Sequence, residues 1–188
     1  MAIHVVGIGG TTRPNSSTEK ALRVALKAAA DDGAETVMLG AADIDLPMYA
    51  PESPERTDKA VRLIEEIRRC DGLIVASPGY HGTLSGLVKN ALDYIEDMRD
   101  DDVPYIDGRA VGCIACAYGW QATVTTLMAL RSVVHALRGW PTPMGAGINS
   151  AGPVFDQNGN AIDESSRFQL ELVGRQVVEF ARMRAAVG

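Results

Sequence analysis

The stretch from Asp71 to Ile95, D-G-L-I-V-A-S-P-G-Y-H-G-T-L-S-G-L-V-K-N-A-L-D-Y-I, limits what this chain can fold into more than any other. Leu73 to Ala76 is short and apolar without polar alternation, the pattern of a strand covered on both faces. Ser77-Pro78 is expected to end it, because proline lacks an amide hydrogen and has a fixed φ. Gly79-Tyr80-His81-Gly82 then sets two planar side chains between two flexible positions. Thr83 is a candidate cap for a helix whose apolar residues Leu84, Leu87, Val88, Ala91, Leu92 and Ile95 recur at three and four. On that helix Lys89 and Asp93 stand four apart, in the weaker base-before-acid order. A buried strand leading through a polar, aromatic loop into a helix is one unit of an open α/β sheet. In such sheets ligands sit beyond the carboxyl ends of the strands.

The rest of the chain repeats that unit. Ile3 to Ile8 is a β-rich run ending in Gly9-Gly10, and Ser16 with Glu19 has capping-box spacing for a helix carrying Leu22, Ala25, Leu26 and Ala29. Val37 to Leu39 predicts a second strand, Ile44 to Pro47 a short extended segment, and Ser53-Pro54 the start of a helix bearing Ala60, Val61, Ile64 and Ile67. Ala110 to Cys116 predicts the next strand, followed by Tyr118-Gly119-Trp120 and a helix from about Gln121 to Ala136. Trp140 to Met144 reads as a short, irregular last strand broken by Pro141 and Pro143. A hairpin is expected around Asn158-Gly159, and a final helix turns Leu170, Val173, Val177 and Phe180 toward the sheet. This rhythm predicts an α/β, flavodoxin-like three-layer sandwich: one domain over residues 1–188, with a five-stranded parallel sheet in order 2-1-3-4-5.

A formal charge of −6 argues against nucleic acid and anionic membrane as partners, because phosphate surfaces attract positive charge. No signal-peptide pattern and no apolar run of about 20 residues is present, so a cytoplasmic location is expected. Three cysteines are too few for a disulfide framework. Cys113 and Cys116 have redox-pair spacing but lie inside an apolar run, which favours two inert, buried thiols. His4, His81 and His135 show no metal-ligand spacing, and neither a nucleophile elbow nor a P-loop is found.

The loop after the first strand carries the clearest ligand signal. Thr11, Thr12, Arg13, Ser16, Ser17 and Thr18 gather hydroxyls and a guanidinium around a helix amino terminus, whose amides and dipole favour an anion. Gly7-Ile8-Gly9 begins a dinucleotide fingerprint, but Thr12 stands where its third glycine belongs, so a monophosphate suits the loop better. Flavin mononucleotide would span the distance, its phosphate here and its ring against Pro78 to Gly82 and Ala117 to Trp120.

These residues resemble the NAD(P)H-dependent FMN reductase family, flavodoxin-like proteins that include quinone, azo and chromate reductases. The family pattern G-S-x-R-x-x-S appears as Gly10-Thr11-Thr12-Arg13-Pro14-Asn15-Ser16, and D-L-P-x-[YF] as Asp45-Leu46-Pro47-Met48-Tyr49. The pattern P-E-Y followed by L-K-N-A-[IL]-D appears from Pro78 to Asp93, with Gly79 in place of the common glutamate and Val88 in place of the commoner leucine or alanine. The resemblance implies an FMN cofactor, NADPH or NADH as donor and a small, flat electron acceptor such as a quinone, azo compound or free flavin. It implies a homodimer, with a tetramer as the alternative. It assigns Thr11, Arg13, Ser16, Ser17 and Thr18 to the phosphate, and Pro78, Gly79, Tyr80, His81 and Gly82 to one border of the ring. Ala117, Tyr118, Gly119 and Trp120 close the other border. No side chain is expected to act as an obligatory acid, since flavin N5 carries the hydride, and Lys89, Asn90 and Asp93 are expected to be structural or interfacial. Two other readings of the residues remain: an FMN electron carrier without nicotinamide activity, and an α/β protein that binds another phosphorylated metabolite.

Overall fold

A computed structural model describes residues 2–187. Five parallel strands form the sheet: β1 (His4–Gly9), β2 (Glu35–Leu39), β3 (Gly72–Tyr80), β5 (Ala110–Ala117) and β6 (Trp140–Asn149), ordered β2-β1-β3-β5-β6. The two-residue β4 (Thr83–Leu84) folds back antiparallel on the end of β3 and stands off this path. Without it the order is the expected 2-1-3-4-5. The helices are α1 (Ser17–Asp31), the single turn α2 (Ala41–Ile44), α3 (Asp58–Arg69), α4 (Gly86–Asp93), α5 (Trp120–Ala136) and α6 (Glu164–Ala185), with a 3-10 turn at Tyr94–Met98. No described helix is long and apolar enough to cross a membrane.

Strand alternation sorts side chains into two cores. Val6, Ile8, Leu73, Val75, Val111 and Cys113 meet α3, α4 and α5 on one face. Val5, Ile74, Ala76, Ile114 and Cys116 meet α1 and α6 on the other. The two strand cysteines therefore point to opposite sides of the sheet and cannot pair. Helices α1 and α6 approach until a Cβ at Gly174 would lie 2.2 Å from the Ala25 carbonyl oxygen, so only glycine fits there.

Several element boundaries differ from the sequence expectations for local reasons. Strand β3 continues through Pro78, which pairs in register with Cys116. The β1 ladder stops at Gly9 opposite Ala76, so on that side Pro78 lies beyond the last pair and its missing donor goes unneeded. Ser85, not Thr83, caps α4: its hydroxyl accepts from the Val88 amide at 3.2 Å, and its own amide donates to Ser77 Oγ at 3.0 Å. Thr57, not Ser53, caps α3, accepting from the Ala60 amide at 3.3 Å. Residues 41–44 form a helical turn instead of an extended segment, with the Asp43 carboxylate accepting from the Gly40 amide at 3.0 Å. Strand β6 runs on to Asn149 after Pro141 and Pro143 shift its register against β5. Its outer edge is covered by side chains: Met144 N–H donates to Gln176 Oε1 and Gly147 N–H to Gln169 Oε1.

Candidate functional site

Three loops emerge side by side at the carboxyl edge. Gly9 ends β1 opposite Ala76, Pro78 on β3 is opposite Cys116, and Ala117 on β5 is opposite Asn149. Adjacent strands lie about 4.8 Å apart, so loop one and loop three are separated by roughly 10 Å.

The first loop is shaped by its own hydroxyls. Thr11 Oγ1 accepts from the Arg13 amide at 3.2 Å and donates to the Arg13 carbonyl at 3.1 Å, closing a tight turn. Asn15 takes a left-handed conformation (φ 55°), and its amide donates to Glu19 at 2.9 Å. Ser16 is buried and caps α1 by accepting from the Glu19 amide at 3.3 Å. The capping-box carboxylate thus reaches one residue further back than the spacing suggests. Glu19 is also held by Arg23, which turns its charge along the helix. Ser17 and Thr18 begin α1, so their amides stand at its positive end. Thr18 is buried, whereas the Arg13 guanidinium is exposed and has no ion-pair partner among the described residues.

The second loop is a hairpin between β3 and β4. Tyr80 pairs with Thr83 across His81 (φ 50°) and Gly82 (φ 91°), the φ signature of a type I′ turn. His81 accepts a left-handed backbone, which histidine tolerates better than branched residues do. Pro78 is buried, Gly79 half-buried, and Tyr80 and His81 stand out into solvent.

Ala117 and Gly119 begin the third loop, in which Tyr118 is 81% and Trp120 62% exposed. Gly119 (φ 121°) starts α5 without a side-chain cap. Its amide donates to Asn149 Oδ1 at 3.0 Å, and the Ser150 amide donates to the Ala117 carbonyl at 2.9 Å. Asn149 and Ser150 therefore hold this loop from the end of β6. Sequence reasoning passed over both; the available signal was an asparagine at the carboxyl end of a parallel strand. A cavity of about 400 Å³ opens between Gly82 and the first turns of α5, from Tyr118 to Thr125.

Behind these loops, α4 braces the wall. Asn90 is 5% exposed; its Oδ1 accepts from the Tyr49 amide at 2.8 Å, and its Nδ2 donates to the Leu46 and Pro47 carbonyls at 3.3 and 2.9 Å. Tyr94 donates to the same Pro47 carbonyl at 3.1 Å. Arg56 grips Asp97 with two bonds of 2.6 and 2.8 Å and lies over the Tyr49 ring, so it holds the Asp97 carboxyl below the usual carboxylate range. The sequence elements Asp45–Tyr49 and Lys89–Asp93 are thus two halves of one structural joint, and Lys89 and Asp93 pair along the helix at 2.5 Å.

Burial pushes the thiols of Cys70, Cys113 and Cys116 up to about 12. None can act as a thiolate near neutrality.

The arrangement fits a flavin mononucleotide. A guanidinium, hydroxyls and helix-end amides stand at one loop, and flat side chains stand at two neighbouring loops. Comparison with known proteins agrees. Residues 3–152 match the family model described as NADPH-dependent FMN reductase. An NAD(P)H-dependent FMN reductase of Pseudomonas aeruginosa is 29% identical over 183 residues, covering 93% of this chain and 91% of that protein. An FMN-dependent NADPH-azoreductase of Staphylococcus aureus is 29% identical over 139 residues, covering 73% and 70%. Among solved structures, the flavoenzyme NAD(P)H:(acceptor) oxidoreductase FerB of Paracoccus denitrificans shares the fold, with a TM-score of 0.78 at 21% identity over 97% of this chain and 98% of that one. An apo NADH:FMN oxidoreductase does so with a TM-score of 0.72 at 21% identity, over 97% and 90%. With the family model spanning most of its length, this chain belongs to the NADPH-dependent FMN reductase family.

Proposed function

We propose that this single domain is an FMN-dependent oxidoreductase that takes a hydride from NADPH or NADH and reduces a flat acceptor, such as a quinone, an azo compound or free flavin. The observation that carries the reading is the placement of the loops after β1, β3 and β5 at one edge, with the free Arg13 guanidinium at one end and Tyr80, Tyr118 and Trp120 at the other. Bound FMN supplies the electron chemistry. Arg13, Ser16, Ser17, Thr18 and the Thr11 turn hold the phosphate. Pro78, Gly79, Tyr80, His81 and Gly82 border the ring on one side, and Ala117, Tyr118, Gly119 and Trp120 on the other. Backbone amides of these two loops not already paired would be the donors offered to the ring when it is bound. The exposed rings stack donor and acceptor in turn, which predicts alternating kinetics, and the open cleft lets water supply protons. No described side chain needs to serve as a general acid.

The relatives' names favour an azo acceptor, and the resemblance to the family favours a homodimer. Val124 and Met128, exposed apolar residues on α5, lie on the surface on which a second copy would sit. Purified protein titrated anaerobically with NADPH and, separately, NADH tests the reading. Bleaching of the flavin band by either donor, reversed by a quinone, supports it. A flavin-loaded protein that neither donor bleaches would be a carrier, and a protein that ignores added FMN would overturn the assignment.

A further inference from the structure

A cavity of about 390 Å³ opens at the opposite edge of the sheet, where α3 and α6 end and β3 and β5 begin. Gly72 starts β3 here and Pro78 stands at the loop edge, so roughly 20 Å of strand separates this cavity from the candidate cofactor site. Arg68, Arg69, Arg109 and Arg184 stand in its wall, with Asp71 and Asp107. Arg68 pairs with Asp101 at 2.7 Å and Arg69 with Glu66 at 2.7 Å, so those two charges are balanced. Arg109 and Arg184 form no ion pair among the described residues. Backbone carbonyls hold them instead. Arg109 Nη1 donates to the Tyr105 carbonyl at 3.0 Å and its Nη2 to the Arg68 carbonyl at 2.9 Å, while Arg184 Nη1 donates to the Gly108 carbonyl at 2.6 Å. A Cβ at Gly108 would collide with the Arg184 guanidinium, so this seat requires a glycine. Carbonyls orient a guanidinium without cancelling its charge, and both forks keep donors unspent.

The opposing carboxylates are less well placed. Asp71 and Asp107 are both exposed, and Asp71 already accepts from the His4 amide at 2.8 Å. Arg109 is half-buried, where a charge acts through a lower dielectric than it would in open solvent. The acidic run 100–102 lines a neighbouring cavity that shares Arg68 and Arg109, and its Asp101 is the partner of Arg68. We propose that the cavity binds a phosphate group, free or carried on a small metabolite, through Arg109 and Arg184. Two fixed forks match a dianion with several acceptor oxygens better than they match a single carboxylate. The volume also leaves room for the organic part of an ester. This inference does not rest on the reductase reading.

FMN-loaded protein, or Arg13→Ala should no flavin be held, is titrated calorimetrically at low salt with inorganic phosphate and with glycerol 3-phosphate. Either form keeps the turn at Thr11–Thr18 out of the measurement. Wild type is expected to bind one equivalent with a Kd of about 1 mM or below. Arg184→Gln, in the exposed last turn of α6, should raise that Kd roughly tenfold. Arg109→Lys keeps the charge and loses the fork, and should raise it about threefold or more. Asp107→Asn changes an exposed side chain without risk to the fold, and should lower it about twofold. Equal Kd values for the two probes assign the site to the free ion, and a tighter ester assigns it to a phosphorylated metabolite. Binding of neither probe up to about 10 mM, or a Kd that Arg184→Gln and Asp107→Asn both leave unchanged, overturns the proposal.

Discussion

Replacing Asn90 with alanine should cost stability out of proportion to the atoms removed. The amide makes three hydrogen bonds, and all three end on the backbone of residues 46–49. Without it the Tyr49 N–H and the Leu46 carbonyl lose their partner, while the Pro47 carbonyl keeps Tyr94. A buried backbone group left unpaired costs about 1–3 kcal/mol. The Tyr49 bond is only part-buried, so water recovers some of that, and the sum is about 3 kcal/mol. For a chain of this size that corresponds to a fall in Tm of roughly 6–12 °C. Asn90→Asp sharpens the test. It keeps the acceptor for Tyr49 but turns a carboxylate oxygen toward the two carbonyls that Nδ2 now serves. Burial and those carbonyls would raise the folded-state pKa of the new acid, so the native state would bind more protons than the unfolded one. By linkage the variant must gain stability relative to wild type as pH falls through its raised pKa toward the unfolded value. Urea unfolding at pH 5 and pH 8, followed by circular dichroism, measures both effects. An alanine variant within about 0.5 kcal/mol of wild type, or an aspartate variant with no such pH trend, would refute the role given to this joint.

Gly79→Ala is expected to lose about 1–3 kcal/mol through overpacking against Thr126. Gly79→Ala with Thr126→Ala should lose less than the sum of the two singles, which denaturant unfolding of the four proteins would show. Because burial raises all three thiols to about 12, the folded protein should resist iodoacetamide at pH 8 and release its thiols only in denaturant; mass spectrometry of the labelled chain reads the difference. Arg56 lowers the Asp97 pKa, so that pairing stabilises the fold above the unfolded carboxylate pKa and is lost as pH falls through the lower folded value. Asp97→Asn should therefore flatten the acid limb of a stability-versus-pH profile.

The sequence showed the architecture because burial on both faces leaves an unmistakable mark, as in Leu73–Ala76 and Val111–Cys116. It showed the Ser16 cap for the same kind of local reason. It misplaced caps where two hydroxyls compete: Thr83 and Ser53 look as suitable as Ser85 and Thr57 until the β3–β4 hairpin and the Arg56 anchor fix where each helix can begin. Pro78 looked like a strand end because periodicity cannot reveal that the neighbouring ladder has already stopped. Asn149 and Ser150 are hard to find from sequence because they act on the backbone of residues 117–119 across thirty or more positions of chain. Asn90 is expected from sequence to be structural or interfacial, but its partner loop is set by the tertiary contact between Asp45–Tyr49 and Lys89–Asp93. The space around Gly79, too, belongs to tertiary packing alone.

The proposed function requires that the turn at Thr11–Thr18 grip the phosphate of a cofactor whose ring reaches Tyr80 and Trp120. Titrating apoprotein with FMN, by quenching of flavin fluorescence, for wild type and Arg13→Ala tests it most directly. A charge-assisted bond to phosphate is worth about 1.5–3 kcal/mol, so the variant's Kd should rise roughly 10- to 150-fold while its Tm without flavin stays within about 1 °C. Equal FMN affinity in the two proteins would contradict the assignment.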